Sequence, residues 1–194
     1  MEIQSAESAF RAVWVAPSII LSLGITRLCS DMILWVRSYR HFSLDWIPLT
    51  WSACIFIWQI QYLWAIIELP SLIRTWTLPE FLALLLLSLT IFFASALVVP
   101  QQEKDIQGIH EERTIWRGRG ALIAVSTWGL VAVLVDVWMF KEPLFALGTI
   151  LMFGVGVMPL LFLLTKNRWK RGVITLVNFV LTLCAAWIQS PKSY

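Results

Sequence analysis

The stretch FLALLLLSLTIFFASALVV, from Phe81 to Val99, decides the class of this protein. Its 19 residues carry no charge, and their only polar side chains are those of Ser88, Thr90 and Ser95. A helix of about 20 apolar residues spans a hydrocarbon core ~30 Å thick. Pro79 suits the first turn of such a helix, and Pro100 suits its end.

Working outward, the same pattern recurs five more times. Spans are expected at about residues 11–36, 46–69, 79–99, 121–140, 143–165 and 172–189, the second stopping at Pro70 and the fifth opening at Pro143. Residues 101–120 read as a polar loop, with Gly118 and Gly120 breaking it from the fourth span. Of 194 residues, 59% are hydrophobic and 14% charged, against about 25% charged in an average soluble domain. Six spans consume most of the chain and leave no room for a soluble catalytic domain. The fold expected is all-α: one polytopic transmembrane bundle, residues 1–194. Residues 1–10 carry Glu2 and Glu7 without a basic cluster, so no cleaved signal is expected.

Orientation follows from the basic residues. Arg37, Arg40, Lys104, Arg113, Arg117, Arg119, Lys166, Arg168, Lys170 and Arg171 fall in the odd-numbered connections, and only Arg11, Arg74, Lys141 and Lys192 fall on the other side. The positive-inside rule then makes the odd connections cytoplasmic and both termini external. Of the 12 tryptophans, most sit near span ends (Trp14, Trp35, Trp46, Trp64, Trp76, Trp116, Trp138, Trp169 and Trp187), as an interfacial belt requires. Trp58 and Trp128 lie deeper and are expected to pack between helices.

The first span carries the most informative polar residues. Arg27 and Asp31 are one helical turn apart on one face, and pairing lowers the cost of charge in hydrocarbon. Ser18, Ser22, Thr26 and Ser30 repeat at the same four-residue step, so this face is expected to meet helices or water rather than lipid. The pair reads either as a packing lock or as part of an ion or substrate path. Asp136 is the charge of the fourth span. Ser22-Leu23-Gly24 precedes Asp31 by the spacing at which Thr127-Trp128-Gly129 precedes Asp136. If that marks a repeat, the bundle is two inverted three-helix halves, with the two aspartates at mirrored depths.

In the second span Trp51, Cys54, Trp58, Gln61, Ala65 and Glu68 share one stripe, with Gln59 and Tyr62 elsewhere on the wheel. Gln61, Glu68 and Asn178 complete the intramembrane polar set, and Asn178 is expected at the depth of Arg27. Gly148, Gly154, Gly156 and Pro159 mark the fifth span for close packing or a kink, and the glycines suit a contact with partner helices.

Other chemistries find no support. Cys29, Cys54 and Cys184 lie in apolar stretches and read as core residues, not disulfides. His41 and His110 lie in polar connections, so no span offers a histidine to haem or chlorophyll. There is no phosphate-binding glycine loop, metal-ligand spacing, nucleophile–base pair or nucleic-acid-binding surface. No cofactor, metal or catalytic residue is expected.

The opening Pro17-Ser18-Ile19-Ile20-Leu21-Ser22-Leu23-Gly24-Ile25-Thr26-Arg27-Leu28 resembles that of an uncharacterised family of small six-helix bacterial inner-membrane proteins. The likeness continues through the Trp-rich second span, Leu97-Val98-Val99-Pro100 and the step from Arg113 to Arg117, over about the first 120 residues. It implies a bacterial inner membrane and no activity. The expected partners are the lipid bilayer and other membrane subunits or further copies. Two functions compete: a non-catalytic subunit packed in an oligomer or larger membrane complex, or a small channel or transporter using Arg27, Asp31 and Asp136.

Overall fold

The computed structural model describes residues 2–37, 46–72, 77–98, 111–139, 141, 143 and 145–189. Among them are six helices: α1 Glu2–Arg37, α2 Trp46–Leu72, α3 Leu78–Val98, α4 Glu111–Met139, α5 Leu147–Leu164 and α6 Arg168–Gln189. All six are long and apolar enough to cross a membrane, and no strand occurs among the described residues. The protein is an all-α, multi-pass membrane bundle.

Local chemistry sets the helix ends. Thr77 opens α3: Glu80 accepts its backbone N–H at 2.8 Å, and its own carbonyl receives the N–H of Phe81. Asn167 opens α6, its Oδ1 accepting from the Trp169 N–H at 3.0 Å and its carbonyl from Arg171 N–H. Arg171 then closes the α5–α6 hairpin, donating from Nε to the Thr165 carbonyl at 2.7 Å and lying 5.3 Å from the Phe162 ring centre. Arg168, Lys170 and Arg171 therefore belong to the first turn of α6 rather than to a loop.

Other expected boundaries move as well, α1 already being helical from Glu2 rather than from about residue 11. α4 starts at Glu111 and runs through Gly118 and Gly120, which do not break it. A glycine costs a helix only about 1 kcal/mol relative to alanine, and Gly120 lies against Leu97 of α3. α5 starts at Leu147, after the Ala146 N–H donates to the Pro143 carbonyl. α2 continues two residues past Pro70; a proline near a helix end displaces few hydrogen bonds. His41, His110, Arg40, Arg74, Lys104, Lys192 and residues 101–110 lie outside the described residues.

Helices α2, α3, α4, α5 and α6 form a ring, each packed on the next and α6 returning to α2. α1 lies outside this ring, against α2 and α3. With six alternating helices, the start of α1 and the end of α6 share one face of the bundle, called here the terminal face. The core holds Leu21 and Leu28 from α1, Ile55, Trp58 and Ile66 from α2, Ile91 from α3, Val125 and Trp128 from α4 and Val155 from α5. Trp14, Trp46, Trp138, Trp169 and Trp187, near span ends, are all exposed.

The α4–α5 contact brings two backbones together. A Cβ on Gly129 would lie 2.8 Å from the Gly156 Cα, so the two backbones touch. The Ser126 hydroxyl donates to the Gly156 carbonyl across the same crossing. Lipid gives helices no hydrophobic drive to associate, so close backbone approach and interhelical hydrogen bonds hold them. Gly154 faces Leu181 of α6 and Gly148 faces Gln189. All three glycines have neighbours within the chain, Gly156 at the α4–α5 crossing itself.

The halves do not share one arrangement. α1 packs extensively on α3, whereas α4 and α6 have no comparable contact among the described residues. Gly24 lies against Gln59 of α2 and Ser95 of α3, while its counterpart Gly129 lies against Gly156 and Met152 of α5. The shared Ser/Thr-x-Gly-x6-Asp spacing therefore falls at two unlike contacts.

A candidate binding cavity and the intramembrane polar groups

The ring is not filled along its whole length. Between α2, α3, α4, α5 and α6, in the half towards the terminal face, it encloses a cavity of about 520 Å³. At its deep end Trp58 and Trp128 pack at 5.4 Å between ring centres, and Tyr62 meets Trp128 edge-on at 6.3 Å. The Tyr62 hydroxyl is fixed by donating to the Leu84 carbonyl at 2.8 Å. Indole N–H groups of Trp58 and Trp128 are buried without an acceptor. Nearer the terminal face the walls carry Gln61, Asp136, Thr149 and Gln189. Gln61 donates from Nε2 to the Ala186 carbonyl at 2.9 Å, which leaves its own carbonyl oxygen to accept. Among the described residues, no basic side chain lines the cavity.

Arg27 and Asp31 lie elsewhere. α1 meets the bundle through Pro17, Leu21, Gly24, Leu28 and Asp31, all buried at alternating steps of four and three. Asp31 is 6% exposed, but the Arg27 side chain is 42% exposed on the outer surface. Arg27 Nε and Asp31 Oδ2 are 3.9 Å apart, an ion pair too long for a hydrogen bond. Ser22, Thr26 and Ser30 are exposed beside Arg27. Each hydroxyl in the row, Ser18 included, donates to the carbonyl four residues earlier, at 2.8–2.9 Å. The sequence placed this whole face against protein or water; within this chain, the hydroxyls and Arg27 turn outward and Asp31 alone turns in.

Asp136 is half-buried on the cavity wall, so the three intramembrane charges do not meet in one place. Glu68 belongs to α2, and its side chain lies outside what the structure describes. Asn178 lies on α6. It is buried against α2 and donates from Nδ2 to Cys54 Sγ at 3.6 Å. With Thr175, Thr182, Gly172 and Ala185 it forms the buried face of α6, while Leu176, Val180, Leu183 and Trp187 face outward.

Sequence reading missed two features. That second polar face was visible in the spacing of Thr175, Asn178 and Thr182 at steps of three and four. Gln59 was set aside as off the main stripe. It is wholly buried among α1, α2 and α3, and neither atom of its amide has a hydrogen-bond partner. No metal-binding group of His, Cys, Asp or Glu occurs among the described residues. Comparison with known protein families, characterised proteins and solved structures returned no match.

Proposed function

We propose that this protein is a non-catalytic subunit of a membrane assembly, docked through the exposed polar face of α1. One observation carries the reading: Arg27 stands at the outer surface of a spanning helix, beside Ser22, Thr26 and Ser30, with a single loose ion pair. Arginine near the middle of a span costs about 2.5–3.5 kcal/mol on insertion scales. Four of its five N–H donors have no role in that pair. A neighbouring transmembrane helix presenting a carboxylate or open carbonyl at that depth meets both needs. The hydroxyl oxygens, whose donors are spent, remain available as acceptors across the same contact.

The partner in this reading is a different chain. A two-fold axis beside α1 would set Arg27 against its own copy, and the buried Asp31 could not reach across to compensate. The concentration of basic residues on one side supports external termini, and the resemblance of the first 120 residues supports a bacterial inner membrane.

The second reading, a small transporter, has the cavity in its favour: it ends at Trp58 and Trp128, as a pathway closed on one side would. Against it, Arg27 and Asp31 lie off that cavity. The two readings part on two measurements. Extraction in mild detergent is expected to yield a stable complex with another membrane protein, lost when Arg27, Ser22 and Thr26 are replaced by leucine. Liposomes holding the purified protein are expected to show no proton, cation or anion flux. Sustained flux abolished by Asp136→Asn, with the folded yield intact, would reject the subunit reading.

A further inference from the structure

We propose that the groove between the starts of α2 and α6 is a binding site for one anionic phospholipid, its phosphate against Arg168 and part of one acyl chain along α6. The groove lies at the end of the bundle opposite the terminal face and holds about 480 Å³. The inference stands apart from docking through α1, which contributes no described residue to the groove.

Three observations select the occupant. The first is depth. The apolar spans of α2 and α6 begin at Trp46 and Arg168, so the groove opens at the membrane boundary, where lipid headgroups lie. Trp46 and Trp169 wall it, both exposed, and indole rings favour that zone. Gly172 makes room for the first of them: a Cβ there would lie 3.2 Å from the Trp46 ring, so the indole rests on the α6 backbone.

The second is charge. Arg168 is exposed on the groove, and Lys166 and Lys170, two residues to either side, are exposed as well. Among the described residues none of the three has an ion pair, and no acidic side chain lines the groove. Neighbouring Arg171 is committed to the Thr165 carbonyl and the Phe162 ring, which leaves these three to meet an anion. The arginine fork matches the oxygens of a phosphate.

The third is the inner wall. Beyond the tryptophans the groove is apolar, with Ile47 on α2 and Val173 and Leu176 on α6. From Trp169 to Leu176 this strip descends about 10 Å along the helix axis. It rewards an acyl chain, whereas a free phosphate would leave it unused. A zwitterionic lipid would use the strip but not the surplus of positive charge, so headgroup charge and acyl chain can be tested separately.

The test uses the full-length protein, purified in mild detergent and washed free of lipid. Native mass spectrometry measures retention of phosphatidylglycerol, of phosphatidylcholine with the same acyl chains, and competition by glycerol 3-phosphate. Phosphatidylglycerol should saturate at one tight site per chain. It should bind at least about fivefold more tightly than phosphatidylcholine, the scale of ~1 kcal/mol for one basic side chain at an anionic lipid. Glycerol 3-phosphate should not compete. Arg168→Gln should weaken phosphatidylglycerol about fivefold and leave phosphatidylcholine unchanged. Val173→Trp should weaken both lipids by filling the groove. Lys141→Gln, at an exposed lysine of the terminal face, is the charge control and should change neither. Thermal unfolding of each variant establishes that it is folded. Equal retention of the two lipids, or unchanged phosphatidylglycerol binding in the folded Arg168→Gln variant, would overturn the proposal. Equal weakening by Lys141→Gln would overturn it too, leaving only a diffuse attraction to net charge. Displacement by glycerol 3-phosphate would replace the lipid with a free phosphate ester. Should Arg168→Gln not fold, the ratio of the two lipids in the unaltered protein decides: a ratio near one refutes the site.

Discussion

A methyl group added at Gly129 has nowhere to go. Its carbon would sit 2.8 Å from the Gly156 Cα and 3.0 Å from the Gly156 nitrogen, where carbon contacts relax at about 3.5–4.0 Å. The obstacle is backbone, so no side-chain rotation can relieve it, and α4 and α5 must part by several tenths of an ångström. That separation strains the Ser126 hydrogen bond to Gly156, worth about 0.5–1.5 kcal/mol, and loosens the packed crossing. Overpacking of this kind costs about 1–3 kcal/mol, partly offset by the ~1 kcal/mol that alanine gains over glycine within a helix. With the strained hydrogen bond counted, the net expectation for Gly129→Ala is a loss of roughly 0.5–3.5 kcal/mol. Gly118 supplies the internal control, because nothing lies within 4 Å of its missing Cβ. Gly118→Ala should be neutral or stabilising by up to about 1 kcal/mol. Both are read by thermal unfolding in mild detergent, followed by size-exclusion chromatography of the surviving fraction. A Gly129→Ala variant that melts with or above the unaltered protein would refute the backbone contact.

Further outcomes follow from the same geometry. Gln59→Leu should be neutral or stabilising, since it removes a buried amide without hydrogen bonds; a marked loss of stability would mean that the amide is satisfied. Arg27→Ala and Asp31→Ala in a double-mutant cycle should couple by about 0.5–1 kcal/mol, given a 3.9 Å pair with one partner exposed; strictly additive losses would remove the pair from the account. Single cysteines at Ser5 and Gln107, in a background without Cys29, Cys54 and Cys184, should react with an impermeant thiol reagent on intact cells at position 5 only; labelling at 107 alone would invert the topology.

The spans were legible because hydrocarbon imposes a single rule, about 20 apolar residues per crossing, and Phe81 to Val99 obeys it almost without exception. Helix starts were less so. Glu111 to Gly120 looked like a loop by its charges and glycines, yet charge does not prevent a helix from projecting beyond the membrane. Rotation about each helix axis was the least legible. In α1 the row of hydroxyls suggests a face turned to helices or water, but serine and threonine in a helix can spend their donors on the carbonyl four residues back and so tolerate exposure. The true inward face combines Leu21, Gly24 and Leu28 with Asp31, a set that no simple polarity rule selects. Asp136 was named from its charge alone. Its place on a cavity wall depends on five helices meeting in a ring, which one helix's periodicity does not encode.

The claim that α1 docks on another protein is tested most directly by what lies against Thr26 in the native membrane. A photo-crosslinking amino acid placed there is compared with one at Val180, which is 56% exposed on the apolar face of α6. The account predicts a discrete protein adduct from position 26, absent when Arg27 is also replaced by leucine, and only lipid adducts from position 180. Lipid adducts alone at both positions would contradict it.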